Sequence, residues 1–220
     1  MKILVHGDNT KKFFNMDSIR EPYYANVKHD KNNIDFLRPW YCELTALYYV
    51  LNNYTDDIIG LEQYRRYILK NDLSKPIDEI EISNILQNYD VICGKEHYPN
   101  GNGAYIFTWP IRNGLKDRFL VFIDTIKQMY GNEMADHFNK FLYGQWHCHG
   151  NLMIGKRTII KEYFEWLCNT FVEYNKKIKL DNNSYRTNEY LSEFFFGAWL
   201  TYNNYKIYFS HWMNCGRIIE

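Results

Sequence analysis

The residues best suited to chemistry follow a short apolar run. Ile58, Ile59, Gly60 and Leu61 lead directly into Glu62-Gln63-Tyr64-Arg65-Arg66-Tyr67. A run this short suits a strand buried on both faces rather than a helix. The C-terminal edge of such a strand in an open α/β sheet is where ligands bind. One carboxylate and two guanidinium groups therefore fall at that edge. Arginine carries a rigid fork of donors that matches phosphate oxygens. Neighbours on an extended segment point apart, so one of Arg65 and Arg66 at most faces a given phosphate group. The competing reading is a solvated basic turn. His147-Cys148-His149 is a second constellation. Alternate residues of a strand share a face, so the two histidines could converge on a metal. No further ligand pair at zinc-finger spacing accompanies them.

The elements that must position these groups alternate in type. Lys2 to Val5 reads as a first strand, ended by His6, Gly7 and Asp8. Residues 9 to 39 lack periodicity and carry Pro22 and Pro39, which reads as a long loop. In Tyr41 to Asn52, Leu44, Leu47, Tyr48 and Leu51 fall at helical spacing. Ser74 to Ile77 looks like a helix start, with Asp78, Glu79 and Glu81 near its positive end and Ile77, Ile80, Ile85 and Leu86 facing inward. Tyr89 to Cys93 is a strand, and residues 95 to 113 form a loop whose glycines and aromatics suggest an active-site flap. Helices follow at Leu115 to Tyr130 and Met134 to Leu142, a strand at Leu152 to Ile154, and a long helix at Thr158 to Tyr174. A helix at Glu189 to Leu200 and a strand at Lys206 to Phe209 complete the pattern. The alternation predicts one α/β domain over 1–220, with a mostly parallel central sheet flanked by helices.

Bulk properties narrow the class. The 220 residues carry a formal net charge of zero, which gives no reason to expect nucleic acid as a partner. Aromatic residues make up 18% of the chain, with 20 tyrosines. Tyrosine joins a flat apolar face to a polar tip, so the excess suits sugar stacking as well as packing. Codon bias is the plainer source, since the chain is also rich in Asn, Ile and Lys. Five cysteines form no CxxC pair, which predicts reduced thiols and a cytoplasmic setting. No apolar run reaches the ~18 residues of a membrane span.

Two blocks carry a resemblance. Tyr41-Cys42-Glu43-Leu44-Thr45-Ala46-Leu47-Tyr48 and Ile59-Gly60-Leu61-x-x-Tyr64-Arg65-Arg66-Tyr67 resemble motifs of a family of capsular and exopolysaccharide biosynthesis proteins taken to be glycosyltransferases. Gln63 stands where that family usually has His. His149-Gly150-Asn151-Leu152-Met153-Ile154 is similar to a third block, with Gly150 in place of a common Phe. Leu191-Ser192-Glu193 is similar to a fourth, with Phe194 in place of Arg.

The resemblance implies a GT-A-like, Rossmann-like domain and a nucleotide-sugar donor, such as a UDP-sugar with galactose or galactofuranose. It implies a saccharide or lipid-linked acceptor, an inverting hexosyl transfer, and transient contact with the inner membrane face. On that reading Glu193 is the base, with Glu43 its competitor. His6, Glu62, Tyr64, Arg65, Arg66, His149 and Asn151 bind the donor. Many GT-A enzymes hold Mn2+ or Mg2+ through an Asp-x-Asp after a buried strand, and this chain has no Asp-x-Asp. Glu62 is the carboxylate at the matching place. Either it joins a metal site, or arginine replaces the metal as the charge clamp and none is required. Two rivals stand beside this reading: a non-catalytic saccharide- or nucleotide-binding protein on the same fold, and a phosphate-ester or nucleotide hydrolase.

Overall fold

The computed structural model describes residues 1–13, 16–97, 116–142, 144, 146–178, 186–214 and 217–219. The strands are β1 (Lys2–Gly7), β2 (Arg20–Tyr24), β3 (Ile58–Gln63), β4 (Arg66–Ile68), β5 (Val91–His97), β6 (Trp146–Lys156), β7 (Ile207–Ser210), β8 (Trp212–Asn214) and β9 (Arg217–Ile219). The helices are α1 (Arg38–Tyr41), α2 (Leu44–Asn53), α3 (Glu79–Ile85), α4 (Lys116–Tyr130), α5 (Asn132–Leu142), α6 (Arg157–Lys177) and α7 (Thr187–Tyr202).

The main sheet runs β2-β1-β3-β6-β5-β7. β1, β2, β3, β5 and β7 point one way, and β6 lies antiparallel between β3 and β5. This is the expected α/β class, with a mostly parallel mixed sheet. The hairpin from β3 leads into an antiparallel ribbon, β4-β8-β9. Ile58 to Leu61 lies centrally, between β1 and β6, as its continuous apolar character predicts.

The sheet separates two apolar layers by strand alternation. Leu4, Ile59, Leu61 and Met153 join the larger cluster, which also takes Leu44 and Leu47 of α2, Tyr163 and Phe171 of α6, and Phe195 and Phe196 of α7. Ile3, Ile92, Leu152 and Ile154 face the other side, against Ile82 and Leu86 near α3.

Four expectations change in detail. The helix expected from Tyr41 is broken at Cys42, whose φ of 40° ends α1, so α2 begins at Leu44. β2 lies inside the stretch read as a loop. Its sequence, Arg-Glu-Pro-Tyr-Tyr, shows no apolar alternation, and an edge strand tolerates Pro22. On α3 the inward face is Ile82 with Leu86, while Ile80 is 74% exposed. Asp78 caps this helix by accepting from the Glu81 N–H, which sets the phase of the face. The chain after Phe209 forms β8 and β9. Most of the predicted flap, residues 98–113, lies outside the described residues.

Candidate active site

The ends of β1 and β3 and the start of β6 meet at one edge of the sheet, beneath the first turns of α7. Gln63, the last residue of β3, donates from Nε2 to Glu43 Oε1 at 2.8 Å and to the Gly150 carbonyl at 2.9 Å. The chain then reverses through Tyr64 and Arg65, with Arg66 paired back to Gln63. This tight turn sends the two arginines to different surroundings. Arg65 is exposed, its guanidinium 5.7 Å from the Tyr64 ring. Arg66 is half-buried, 5.9 Å from the Trp212 ring. Its Nη1 occupies the space left by the missing side chain of Gly150, where a Cβ would come within 3.0 Å. Gly150 also has φ +59°, a conformation that glycine adopts without penalty.

β6 is irregular here. Its register against β5 shifts between Cys93 and Lys95, and Asn151 follows Gly150 with a positive φ of 55°. Such a bulge re-aims side chains beside a site. His149 stacks on Trp212 at 3.9 Å. Asn151 is fully buried and accepts from the Ser192 hydroxyl at 3.0 Å, tying β6 to α7. His147 packs against Phe194, and the His147 and His149 rings are 6.3 Å apart. Neither belongs to a group of metal-ligating side chains among the described residues.

Three carboxyl groups form the centre. Glu43 sits at the α1–α2 junction, and Glu189 and Glu193 lie one turn apart on α7. Their oxygens come within 4.8 Å of one another. Arg186, immediately before α7, grips Glu189 with Nε and Nη2, and its Nη2 lies 4.0 Å from Glu43 Oε2. Ligand atoms of His6, Cys42 and Glu43 form an adjoining group, also within 4.8 Å. A cation could be held by either trio, although Gln63 and Arg186 already occupy Glu43 and Glu189.

Electrostatics separate the carboxyls. Burial opposes ionisation of Glu43, but Glu189, His6, Arg186 and Cys42 together lower it to about 2. Burial and the Glu43 charge push Glu193 up to about 8, against the pull of Arg66 and Arg186. Glu189 is likewise raised by burial and by Glu43, with the Arg186 fork opposing. Glu193 keeps part of its surface open to solvent. Burial lowers His6 to about 4, outweighing the attraction of Glu43.

Glu62 stands apart from this cluster. It is fully buried, and its oxygens accept from Arg20 Nε at 2.7 Å, Arg20 Nη2 at 3.2 Å and the Ile68 N–H at 3.0 Å. That leaves it poorly suited to a metal. Of the residues expected at the site, His6, Glu43, Arg66, His149, Asn151 and Glu193 gather at this edge. Tyr64 borders it, its Cβ side filling the space beside Gly7, and Arg65 points away. Arg186, Glu189 and Gln63 were not foreseen as site residues. The spacing of Arg186, Glu189 and Glu193 on one helical face is the signal that could have found two of them.

Residues 15–204 match the family described as a domain of unknown function, DUF4422. The chain belongs to this family. No curated protein is significantly similar to it in sequence. The apo structure of WbbM, a bifunctional glycosyltransferase, is similar over 99% of the DUF4422 chain with a TM-score of 0.75 and 18% identity. The chain spans 45% of that structure's length. At this identity the likeness establishes a shared fold. Among the described residues no helix is long and apolar enough to cross a membrane.

Proposed function

We propose that this chain is a glycosyltransferase that moves a hexosyl group from a UDP-sugar, of the galactose or galactofuranose kind, to a saccharide or lipid-linked acceptor in surface polysaccharide synthesis. The observation that carries this reading is the arrangement around Gln63. It bridges Glu43 and Gly150, with Glu193 on the Glu43 side and Arg66 on the Gly150 side. A base and an anion clamp thus face the same sheet edge, as a displacement at the sugar requires. The shared fold with a bifunctional glycosyltransferase supports the reading.

Glu193 takes the proton of the acceptor hydroxyl. A general base works best with a pKa near the working pH, which favours Glu193 over the far more acidic Glu43. Glu43 acts by its charge, which raises the basicity of Glu193. Arg66 stabilises the charge that collects on the departing diphosphate. His6, held neutral at the end of β1, offers hydrogen bonds on the nucleoside side. A guanidinium group at the clamp position removes the need for a divalent cation. Displacement with inversion follows from one base and no second carboxylate placed as a nucleophile. The chain works in the cytoplasm, in transient contact with the inner membrane face where a lipid-linked acceptor resides.

The test is release of UDP from UDP-galactose and UDP-galactofuranose, with and without a saccharide acceptor. Acceptor-dependent release supports transfer. Donor binding without turnover under any acceptor would favour the non-catalytic binding reading.

A further inference from the structure

We infer that Arg186 is a second anion-binding residue, which together with Arg66 makes a two-guanidinium seat for the donor diphosphate. The inference rests on the transferase reading and adds a residue that no motif of the chain points to. Arg186 has a left-handed backbone, φ 58°, and its N–H donates to the Pro39 carbonyl at 2.9 Å. A non-glycine residue held there carries strain, of order 1–3 kcal/mol, that the surroundings must outweigh. The result is a side chain aimed across the carboxyl cluster rather than into solvent.

A guanidinium group has two edges that can each grip an oxyanion. In Arg186 the Nε/Nη2 edge holds the fully buried Glu189, and the ring of Tyr190 lies 5.0 Å from its Cζ. Nη1 makes no hydrogen bond among the described residues, and 34% of the side chain is open to solvent. An arginine placed only to neutralise Glu189 would need no such open edge. Arg66 approaches from the opposite element, β4, with Nη1 beside Gly150. Both arginines act on Glu193, and both oppose the rise of its carboxyl. The reacting base therefore lies between two cations held on separate elements. A diphosphate carries charge on two phosphoryl groups, and each can meet one guanidinium without a metal.

The experiment is calorimetry of UDP and of inorganic pyrophosphate, in excess chelator, on the full chain and its variants. Arg186→Ala should weaken both ligands by about tenfold or more. Glu189→Gln breaks the same ion pair but keeps the guanidinium group, and should weaken them by about threefold or less. Thermal melts of both variants show what the pair contributes to stability. If the two variants lose affinity alike, or Arg186→Ala binds as the parent does, the inference is overturned while the transferase reading stands. Should Arg186→Ala fail to fold, Arg186→Gln carries the same comparison. Loss of pyrophosphate binding in Arg186→Ala by a protein that transfers no sugar would keep the anion seat and sink the transferase reading. A parent chain that binds neither ligand overturns both.

Discussion

Gln63 and Glu43 are joined by a 2.8 Å hydrogen bond across 20 residues of sequence, and the same Gln63 amide nitrogen reaches Gly150. One NH2 group thus ties the end of β3 to the α1–α2 junction and to β6. The resembled family usually has His at this position, and a neutral imidazole donates only one N–H.

Gln63→Ala should leave the Glu43 carboxylate and the Gly150 carbonyl each short of a buried donor. The expected loss is about 1–3 kcal/mol, read by chemical denaturation. Gln63→His should restore one of the two bonds and recover part of that loss. Equal stability of Gln63→Ala and the parent chain would show that the bridge is not structural.

Arg20 and Glu62 are both fully buried, and each satisfies the other. Removing one partner leaves an uncompensated buried charge, so Arg20→Ala should cost about 3–5 kcal/mol. Glu62→Gln keeps the shape and should cost less. Its UDP affinity in the folded state should match the parent, with or without chelator. Chelator-sensitive binding in the parent that vanishes in a folded Glu62→Gln would return a metal to Glu62.

Arg65 and Arg66 should differ in effect. Arg66→Ala should weaken UDP binding by about 1.5–3 kcal/mol, the range of a hydrogen bond to a charged group. Arg65→Ala, whose guanidinium lies over the exposed side of Tyr64, should change it little. The reverse order in calorimetry would move the clamp to the other side of the hairpin.

Glu193→Gln should lower turnover by about 10²–10⁴ with UDP affinity near that of the parent. Intact turnover in this variant would pass the base role to Glu43. In the parent, turnover should rise with pH as Glu193 releases its proton, through about 8.

Stability gives an independent reading of the same group. The carboxyl rises from 4.5 to about 8 on folding, so between those values the native chain holds a proton that the unfolded chain has lost. The stabilisation is full below 4.5 and disappears as pH climbs through 8. Glu193→Gln has no such proton, so its melting temperature should gain on the parent's as pH rises from 4.5 to 8. A constant difference across that window would show that Glu193 titrates normally.

The sequence by itself determined the elements whose signal is local. The apolar run at Ile58 made β3 central, and the helical spacing of Ile159, Tyr163, Leu167 and Phe171 made α6, because burial on one face writes its period directly into the chain. It also singled out Glu43, Arg66 and Glu193 by residue type and resemblance. Only the tertiary structure decided which of these face one another. Arg66 turns toward Gly150 and Arg65 away because a two-residue turn follows Gln63. Glu62 belongs to Arg20, 42 residues distant, and Gln63 to Gly150, 87 residues distant. Arg186 enters the site through the backbone of Pro39 and the phase of α7. Pairings of this kind depend on chain reversal and close packing between remote segments, and a single pair of polar residues leaves no periodic trace of its partner.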